Sequence, residues 1–193
     1  MEPDGLIRNI VGDLVSLGPL RRELVPLYHR WMNDFEVIRT LGARFTPMTE
    51  DAEAAWFEGA SHNYSAVHFT VYENEHGKPI GVTSLTQIDH QHRRATFGIS
   101  LGEKSDWGKG YGTETTRLMV QYGFVGLDLH NINLTVLPFN ERGIRAYLRA
   151  GFRETGRRRE AVRIAGKAYD VISMDCLASE QPPGPLGRFV PPG

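Results

Sequence analysis

The chain has 193 residues and a formal net charge of -1, enough for one domain with a sizeable core but no global field to recruit nucleic acid or an anionic membrane. Its apolar fraction of 40% and charged fraction of 23% are those of a globular protein. A single cysteine, Cys176, excludes an intramolecular disulfide, no apolar run approaches the ~18 residues of a membrane span, and MEPDGLIRNI lacks a signal-peptide apolar core, so a cytoplasmic protein is expected.

In chain order, DLVSLGPL (Asp13 to Leu20) alternates as a first strand. RRELVPLYHRWMND places Leu24, Leu27, Tyr28 and Trp31 at helical spacing, with Pro26 as a blemish near the first turn. TEDAEAAWFEGA is a second short helix with Thr49 as N-cap. AVHFTVYENEHGKPIGVTSLTQID is a hairpin turned at ENEHGKP, and RRATFGISLGE adds a strand. TETTRLMVQYGFVGLD is a helix with Leu118, Met119, Tyr122 and Val125 as its apolar stripe. INLTVLP is a strand ended by Pro138, NERGIRAYLRAGF a helix capped by Asn140 and closed by Gly151, and RETGRRREAVRIAGKAYDVISMDCLA a last hairpin turned at AGK. Antiparallel strands followed by β-α-β segments imply a mixed sheet with helices on its faces, of α+β or mixed α/β class. We expect one domain over 1–178 and a flexible Pro/Gly-rich tail over 179–193.

The stretch DWGKGYGTE puts glycines at 108, 110 and 112, between a strand and a helix. A helix start offers unpaired N–H groups and partial positive charge, and missing side chains let an anion reach them. Gly108, Gly110 and Gly112 therefore suit a pyrophosphate cradle, with Lys109 adding charge at the rim; the plain alternative is a tight turn without ligand. The spacing is neither that of a P-loop nor that of a dinucleotide fingerprint.

A second motif lies downstream: Asn140 opens a helix, Tyr147 follows seven residues later, and Gly151-Phe152 close it. With these, WGKGYGTE resembles the Q/R-x-x-G-x-G/A acetyl-CoA motif of the GNAT N-acetyltransferase superfamily, Trp107 standing at the Gln/Arg position as in the RimJ/RimL-type branch. N-x-x-x-x-x-x-Y-x-x-x-G-F is similar to that superfamily's second coenzyme motif, and the last hairpin to the branch's closing hairpin. The resemblance covers about Asp13 to Leu177. It implies a GNAT-type fold: a mostly antiparallel, seven-stranded mixed sheet with a splayed central parallel pair and about four helices. The splayed strands are TFGISLG and INLTVLP.

The resemblance further implies that acetyl-CoA lies in the splay. Backbone groups of Ile99, Ser100 and Leu101 bond the pantetheine amides, and the amides of Trp107, Gly108, Lys109, Gly110, Tyr111, Gly112 and Thr113 take the pyrophosphate. Asn140 reaches the pantetheine arm, caps its helix, or both. Arg142 and Arg145 lie near the phosphates or on a solvated face. Tyr147 is the general acid that protonates the departing thiolate, a Tyr hydroxyl having a higher reference pKa than a thiol; otherwise it is a core aromatic.

The implied reaction is direct transfer of acetyl to a primary amine, of a protein N-terminus or a small molecule, in a ternary complex. Many relatives carry a Glu base on the strand before the loop, a position that falls here at Ala95 or Thr96, neither a carboxylate. The base is left among Glu103, Asp89, His90, His92 and none at all. His90 and His92 read as a polar turn, with no metal expected, and Cys176 as a small buried residue. The acceptor site is expected between the N-terminal helices, the RTLGARFTPM loop and the last hairpin. Aromatic candidates there are Trp31, Phe35, Phe45, Trp56 and Phe57, and acidic ones Asp34, Glu36 and Asp170. A coenzyme-binding domain without catalysis and a transferase for another acyl-CoA are the alternatives. The edge of the last hairpin makes a homodimer plausible.

Overall fold

The computed structural model describes residues 5–42, 46–182 and 186. Two short strands, β1 (Ile10–Val11) and β2 (Val15–Gly18), precede three helices, α1 (Val25–Met32), α2 (Phe35–Ile38) and α3 (Glu50–Ser61). Then come β3 (Val67–Glu73), β4 (Pro79–Asp89), β5 (Arg94–Leu101), α4 (Tyr111–Gln121), β6 (Asn131–Val136), α5 (Glu141–Arg149), β7 (Arg153–Ile164) and β8 (Lys167–Leu177). One sheet runs β1-β2-β3-β4-β5-β6-β8-β7, and its only parallel neighbours are β5 and β6.

The expected class and architecture hold, with eight strands where seven were expected. The additional strand is β1, paired with β2 through Ile10↔Leu17 and Val11↔Ser16. Its turn is held from far along the chain. The Glu114 carboxylate accepts from the amides of Asp13, Leu14 and Val15 at 2.8, 2.7 and 2.8 Å. The helix α2 also goes beyond the sequence reading; Asp34 caps it by accepting from the Glu36 amide at 2.9 Å. Thr49 caps α3 as expected, accepting from the Ala52 amide at 3.2 Å. Pro26 sits in the first turn of α1, where its missing N–H costs nothing, so it is a start signal rather than a blemish.

Strand alternation assigns the two faces of the sheet. Phe69 and Val71 join the larger core cluster with Leu118 and Met119 of α4. Between them, the Thr70 hydroxyl pairs with Tyr28 of α1 at 2.6 Å. The helices α1 and α3 therefore cover one face, around Val25, Tyr28, Trp31 and Phe57, and α4 covers the other. Fully buried Leu85, Met119 and Ile132 each contribute about 1.5–3 kcal/mol of burial. Of the expected α4 stripe, Val125 is exposed, because the helix widens into a π turn over Tyr122–Gly126 and rotates that position outward.

Past the domain's last strand, Ala178–Glu180 form a short turn and Gln181 donates to the Cys176 sulfur at 3.1 Å. Leu186 is buried in the main core. The rest of the expected tail, 183–185 and 187–193, lies outside the described residues.

Candidate active site

The parallel pair is short. It joins Arg94↔Asn131, Ala95↔Ile132 and Thr96↔Asn133 and then ends. From there β5 continues along β4 as far as Gly81↔Leu101, and β6 continues along β8 as far as Val136↔Ile172. The sheet opens between them into a cleft of about 550 Å³. Its walls are the free edges of β5 and β6, the loop before α4, and α5.

Ile99, Ser100, Leu101, Trp107, Gly108, Gly110, Gly112, Thr113, Asn140, Arg142, Arg145 and Tyr147 all line this cleft. Two expected residues do not. The Lys109 ammonium turns away to pair with Asp106 at 2.8 Å, and the Tyr111 ring packs against the main core. Leu101 also departs from expectation, since its carbonyl accepts from the Trp107 indole N–H at 2.8 Å. That bond fixes the loop against the end of β5.

The loop is built to expose backbone donors. The Trp107 amide donates to Lys104 at 3.2 Å and the Thr113 amide to Gly110 at 3.0 Å. Among the described residues, the five amides between them, Gly108 to Gly112, donate to no protein acceptor. The φ angles of Gly108 and Gly110 are +82° and +91°, a left-handed region in which a side chain is strained. Gly110 is the N-cap of α4 and offers no side chain to its orphan donors. Burial pushes the Asp106 carboxyl up, and bonds from Lys109 and Lys78 more than offset it, leaving it below the usual carboxylate range. The loop thus has an ionised strut beneath it. This is an anion site by construction, and Arg142, Arg145 and the unforeseen Arg149 line the same cleft. Arg142 stacks 4.0 Å over the Trp107 ring, joining α5 to the loop. Arg145 is paired to Glu141 at 3.2 Å.

Asn140 caps α5, accepting from the Gly143 amide at 3.0 Å. Two turns on, Tyr147 is buried edge-on to Phe97, with ring centroids 6.0 Å apart. Burial pushes its hydroxyl up to about 12, so it remains protonated at neutral pH. Among the described residues the hydroxyl has no hydrogen-bond partner.

Among the candidate bases, Glu103, Asp89, His90 and His92 do not line this cleft. Thr96 does line it, its hydroxyl lying 3.0 and 3.1 Å from the Gln87 and Asn133 side-chain oxygens, and Ala95 is buried. Asp89, His90 and His92 sit at the β4–β5 turn beside Arg94, at the closed end of the pair. There His92 and Arg94 hold Asp89 at 2.9 and 3.3 Å. Glu103 does not face solvent: it accepts from the Trp31 indole at 2.8 Å and is bonded by Arg30, lining neither cavity. Asp34 and Glu36 are both held by Lys104, at 2.8 and 2.5 Å. Asp170 accepts from the Glu160 amide at 3.0 Å. Phe45 lies outside the described residues. Cys176 is buried, with its thiol pushed up to about 12 chiefly by burial. Glu73, Glu75 and His76 lie close enough for a cation, but the Glu73 carboxylate already accepts the amides of Glu75, His76 and Lys78 at 2.9–3.1 Å.

A second cavity of about 320 Å³ lies on the α1–α3 face. Gly98, Ile99, Ser100 and Leu41 line both cavities, so β5 is their common wall. The close approach of α1 to this strand needs a glycine, because a Cβ at Gly102 would fall 2.0 Å from the Trp31 ring. Sequence reasoning missed this cavity's polar groups, Glu53 and His68.

The family model for the acetyltransferase (GNAT) domain matches residues 15–153. The spermidine N(1)-acetyltransferase of Escherichia coli (strain K12) is 30% identical over 168 residues, 86% of this chain and 87% of that protein. An uncharacterized N-acetyltransferase p20 of Bacillus licheniformis is 28% identical over 86% of this chain and 94% of its own. The crystal structure of spermidine N-acetyltransferase from Vibrio cholerae, in complex with CoA and spermine, superposes with a TM-score of 0.81 at 25% identity, covering 88% of this chain and 98% of that one.

Proposed function

The chain belongs to the GNAT acetyltransferase family and is an acetyl-CoA-dependent N-acetyltransferase, and on that premise we propose that the splayed cleft holds acetyl-CoA while an amine attacks from the adjoining face. The observation that carries this reading is the row of five uncommitted amides, Gly108 to Gly112, at the start of α4. They open onto the gap between β5 and β6 and suit the coenzyme's pyrophosphate. Arg142, Arg145 and Arg149 add positive charge around it. The pantetheine arm then lies along the free edge of β5, with Ile99 and Ser100 supplying backbone groups and Asn140 at the opposite wall. The Lys109 side chain is spent on Asp106, and the Trp107 and Thr113 amides and the Leu101 carbonyl on the protein, so these contribute by shaping the loop.

The amine lone pair forms the new C–N bond at the acetyl carbonyl, and the C–S bond breaks with its electron pair leaving on sulfur. Tyr147 donates its proton to that sulfur. The nitrogen sheds a proton as the amide forms, and the tyrosine recovers one.

We place the chain in the RimJ/RimL-type branch, supported by Trp107 and the closing hairpin β7–β8, and take it as one cytoplasmic domain over 1–178. A homodimer through the open edge of β7 is proposed with it. Two of the named relatives are spermidine N-acetyltransferases, which makes polyamines one arm of the test and peptide N-termini and simple amines the others. Thiol release from acetyl-CoA, with mass analysis of each amine, tests the reading. It fails if no amine gains an acetyl group.

A further inference from the structure

Glu53 is an anomaly. It belongs to TEDAEAAW, a run of acids that reads as a solvated helix start, yet it is 3% exposed. Among the described residues its carboxylate has no hydrogen bond or ion pair, and it lines the second cavity. An ionised carboxylate buried without a partner is costly, and such carboxylates concentrate in clefts that bind or react.

The cavity around it is aromatic. Tyr28 stands 5.9 Å from Trp31 and 6.3 Å from Trp56, and Trp56 meets the His68 ring edge-on at 5.6 Å. Ring faces attract an alkylammonium by cation–π contact and bury the carbon skeleton behind it. The floor is Gly98, Ile99 and Ser100, whose other side lines the coenzyme cleft. An amine seated here lies against the strand along which the pantetheine arm runs.

Resting on the acetyltransferase reading above, we infer that this cavity is the acceptor site, that Glu53 receives the acceptor's ammonium and takes its proton, and that the acceptor is a monoamine on an apolar or aromatic group. The ammonium gives one proton to the Glu53 carboxylate, leaving a neutral amine whose lone pair attacks the acetyl carbon. The carboxylic acid then returns that proton to water. This supplies the base absent at Ala95 and Thr96, from a helix on the sheet's face instead of from β5.

The monoamine follows from counting charges. Glu53 is the one carboxylate among the described residues lining either cavity, so the site matches one ammonium, and the remaining lining is largely aromatic and aliphatic. Tyr28 on α1 and His68 on β3 are the other titratable groups lining this cavity, and His29 of α1, outside its lining, acts on Glu53 through its charge. Burial lowers the His68 imidazole, keeping it neutral, and pushes the Tyr28 hydroxyl up to about 12. At neutral pH neither of these two lining groups carries a charge that competes for Glu53.

The experiment compares phenethylamine, spermidine and a short peptide with a free N-terminus in steady-state acetyl transfer, by wild type and Glu53→Gln. We expect phenethylamine to exceed spermidine at least tenfold in kcat/KM. Glu53→Gln is expected to lower kcat/KM for phenethylamine at least a hundredfold at neutral pH, with acetyl-CoA affinity by calorimetry unchanged, and to recover part of the loss as rising pH deprotonates the amine. Preference for spermidine, or a Gln variant within threefold of wild type, overturns the inference while leaving the acetyltransferase reading intact. No transfer to any amine sinks that reading instead. Should Glu53→Gln fail to fold, phenethylamine titrated into wild type under CoA decides: saturable quenching of Trp31 and Trp56 fluorescence that weakens towards acid pH supports the site, and no quenching overturns it.

Discussion

Thr96 donates its hydroxyl to the Asn133 side-chain carbonyl at 3.1 Å, and the two residues are the last matched pair before β5 and β6 part. Asn133 also donates to the Ala95 carbonyl at 3.0 Å. This one side chain closes the sheet at the root of the cleft, where a family base was expected to stand. The position does structural work here, which is why the chemistry must find its base elsewhere.

Removing that clasp is the first test. Asn133→Leu deletes both part-buried bonds, and Thr96 keeps its bond to Gln87. At ~0.5–1.5 kcal/mol per bond the loss is about 1–3 kcal/mol, a drop of roughly 3–10 °C in Tm for a chain of this size. CoA affinity should fall with it, because the splay is no longer held at its root. Calorimetry of unfolding and of CoA binding checks both, and an unchanged affinity would separate the clasp from the cleft.

The anion cradle is best probed at Gly112. Asp at Gly110 meets a φ of +91°, so a loss there mixes strain with charge. Gly112 has ordinary backbone, and its Cβ would lie 3.6 Å from Leu101. Asp in the first helical turn gains about 0.3–1 kcal/mol from the helix dipole, whereas a like charge ~4 Å from pyrophosphate costs about 4 kcal/mol at an effective dielectric of ~20. Gly112→Asp should keep or raise Tm and bind CoA at least tenfold more weakly. Equal affinity in the folded variant would remove the pyrophosphate from this loop.

What the sequence made legible was local. Thr49 and Asn140 are side chains capping their own helices, and Asn140 and Tyr147 lie two turns apart on one helix, so spacing alone places them together. The eight-strand count was not legible, because β1 depends on Glu114, about a hundred residues downstream. Nor was Glu53: only the packing of α3 on β3 buries one acid of TEDAE while leaving its neighbours in water. Leu101 and Trp107 were read as ligand contacts, but they bond each other, a pairing across the loop that no spacing announces.

Tyr147→Phe keeps the ring against Phe97 and Phe152 and removes the proton. We expect kcat to fall ~10²–10⁴-fold with CoA affinity unchanged, measured under single turnover so that product release does not mask the step. Because burial raises this hydroxyl to about 12, the neutral form is favoured in the fold. The stability it carries is present below the unfolded value near ~10 and is lost as pH rises through the folded one. Wild type should therefore lose stability relative to Tyr147→Phe above about pH 10, and parallel unfolding curves would contradict the burial.

Glu53 predicts the opposite signature to that of an ordinary stabilising carboxylate. Burial raises its pKa, so its contribution is full below the unfolded value of ~4.3 and is lost as pH rises through the folded one. Glu53→Gln should be more stable than wild type at neutral pH, the gap narrowing towards pH ~4. Denaturant unfolding of both proteins at several pH values measures it. A variant less stable than wild type at neutral pH would mean that the carboxylate is already satisfied by the protein.

In the proposed reaction acetyl passes directly from coenzyme to amine across β5, with Tyr147 as proton donor. Its most direct test is a single-turnover reaction of acetyl-CoA, phenethylamine and excess enzyme, followed by free thiol and by the mass of the amine. Thiol and acetylated amine are expected to appear at one common rate, with no acetylated protein at any time, and Tyr147→Phe to slow both together by ~10²–10⁴-fold. Thiol appearing ahead of acetyl-amine, with acetyl on the protein, or a Tyr147→Phe rate equal to wild type, would contradict it.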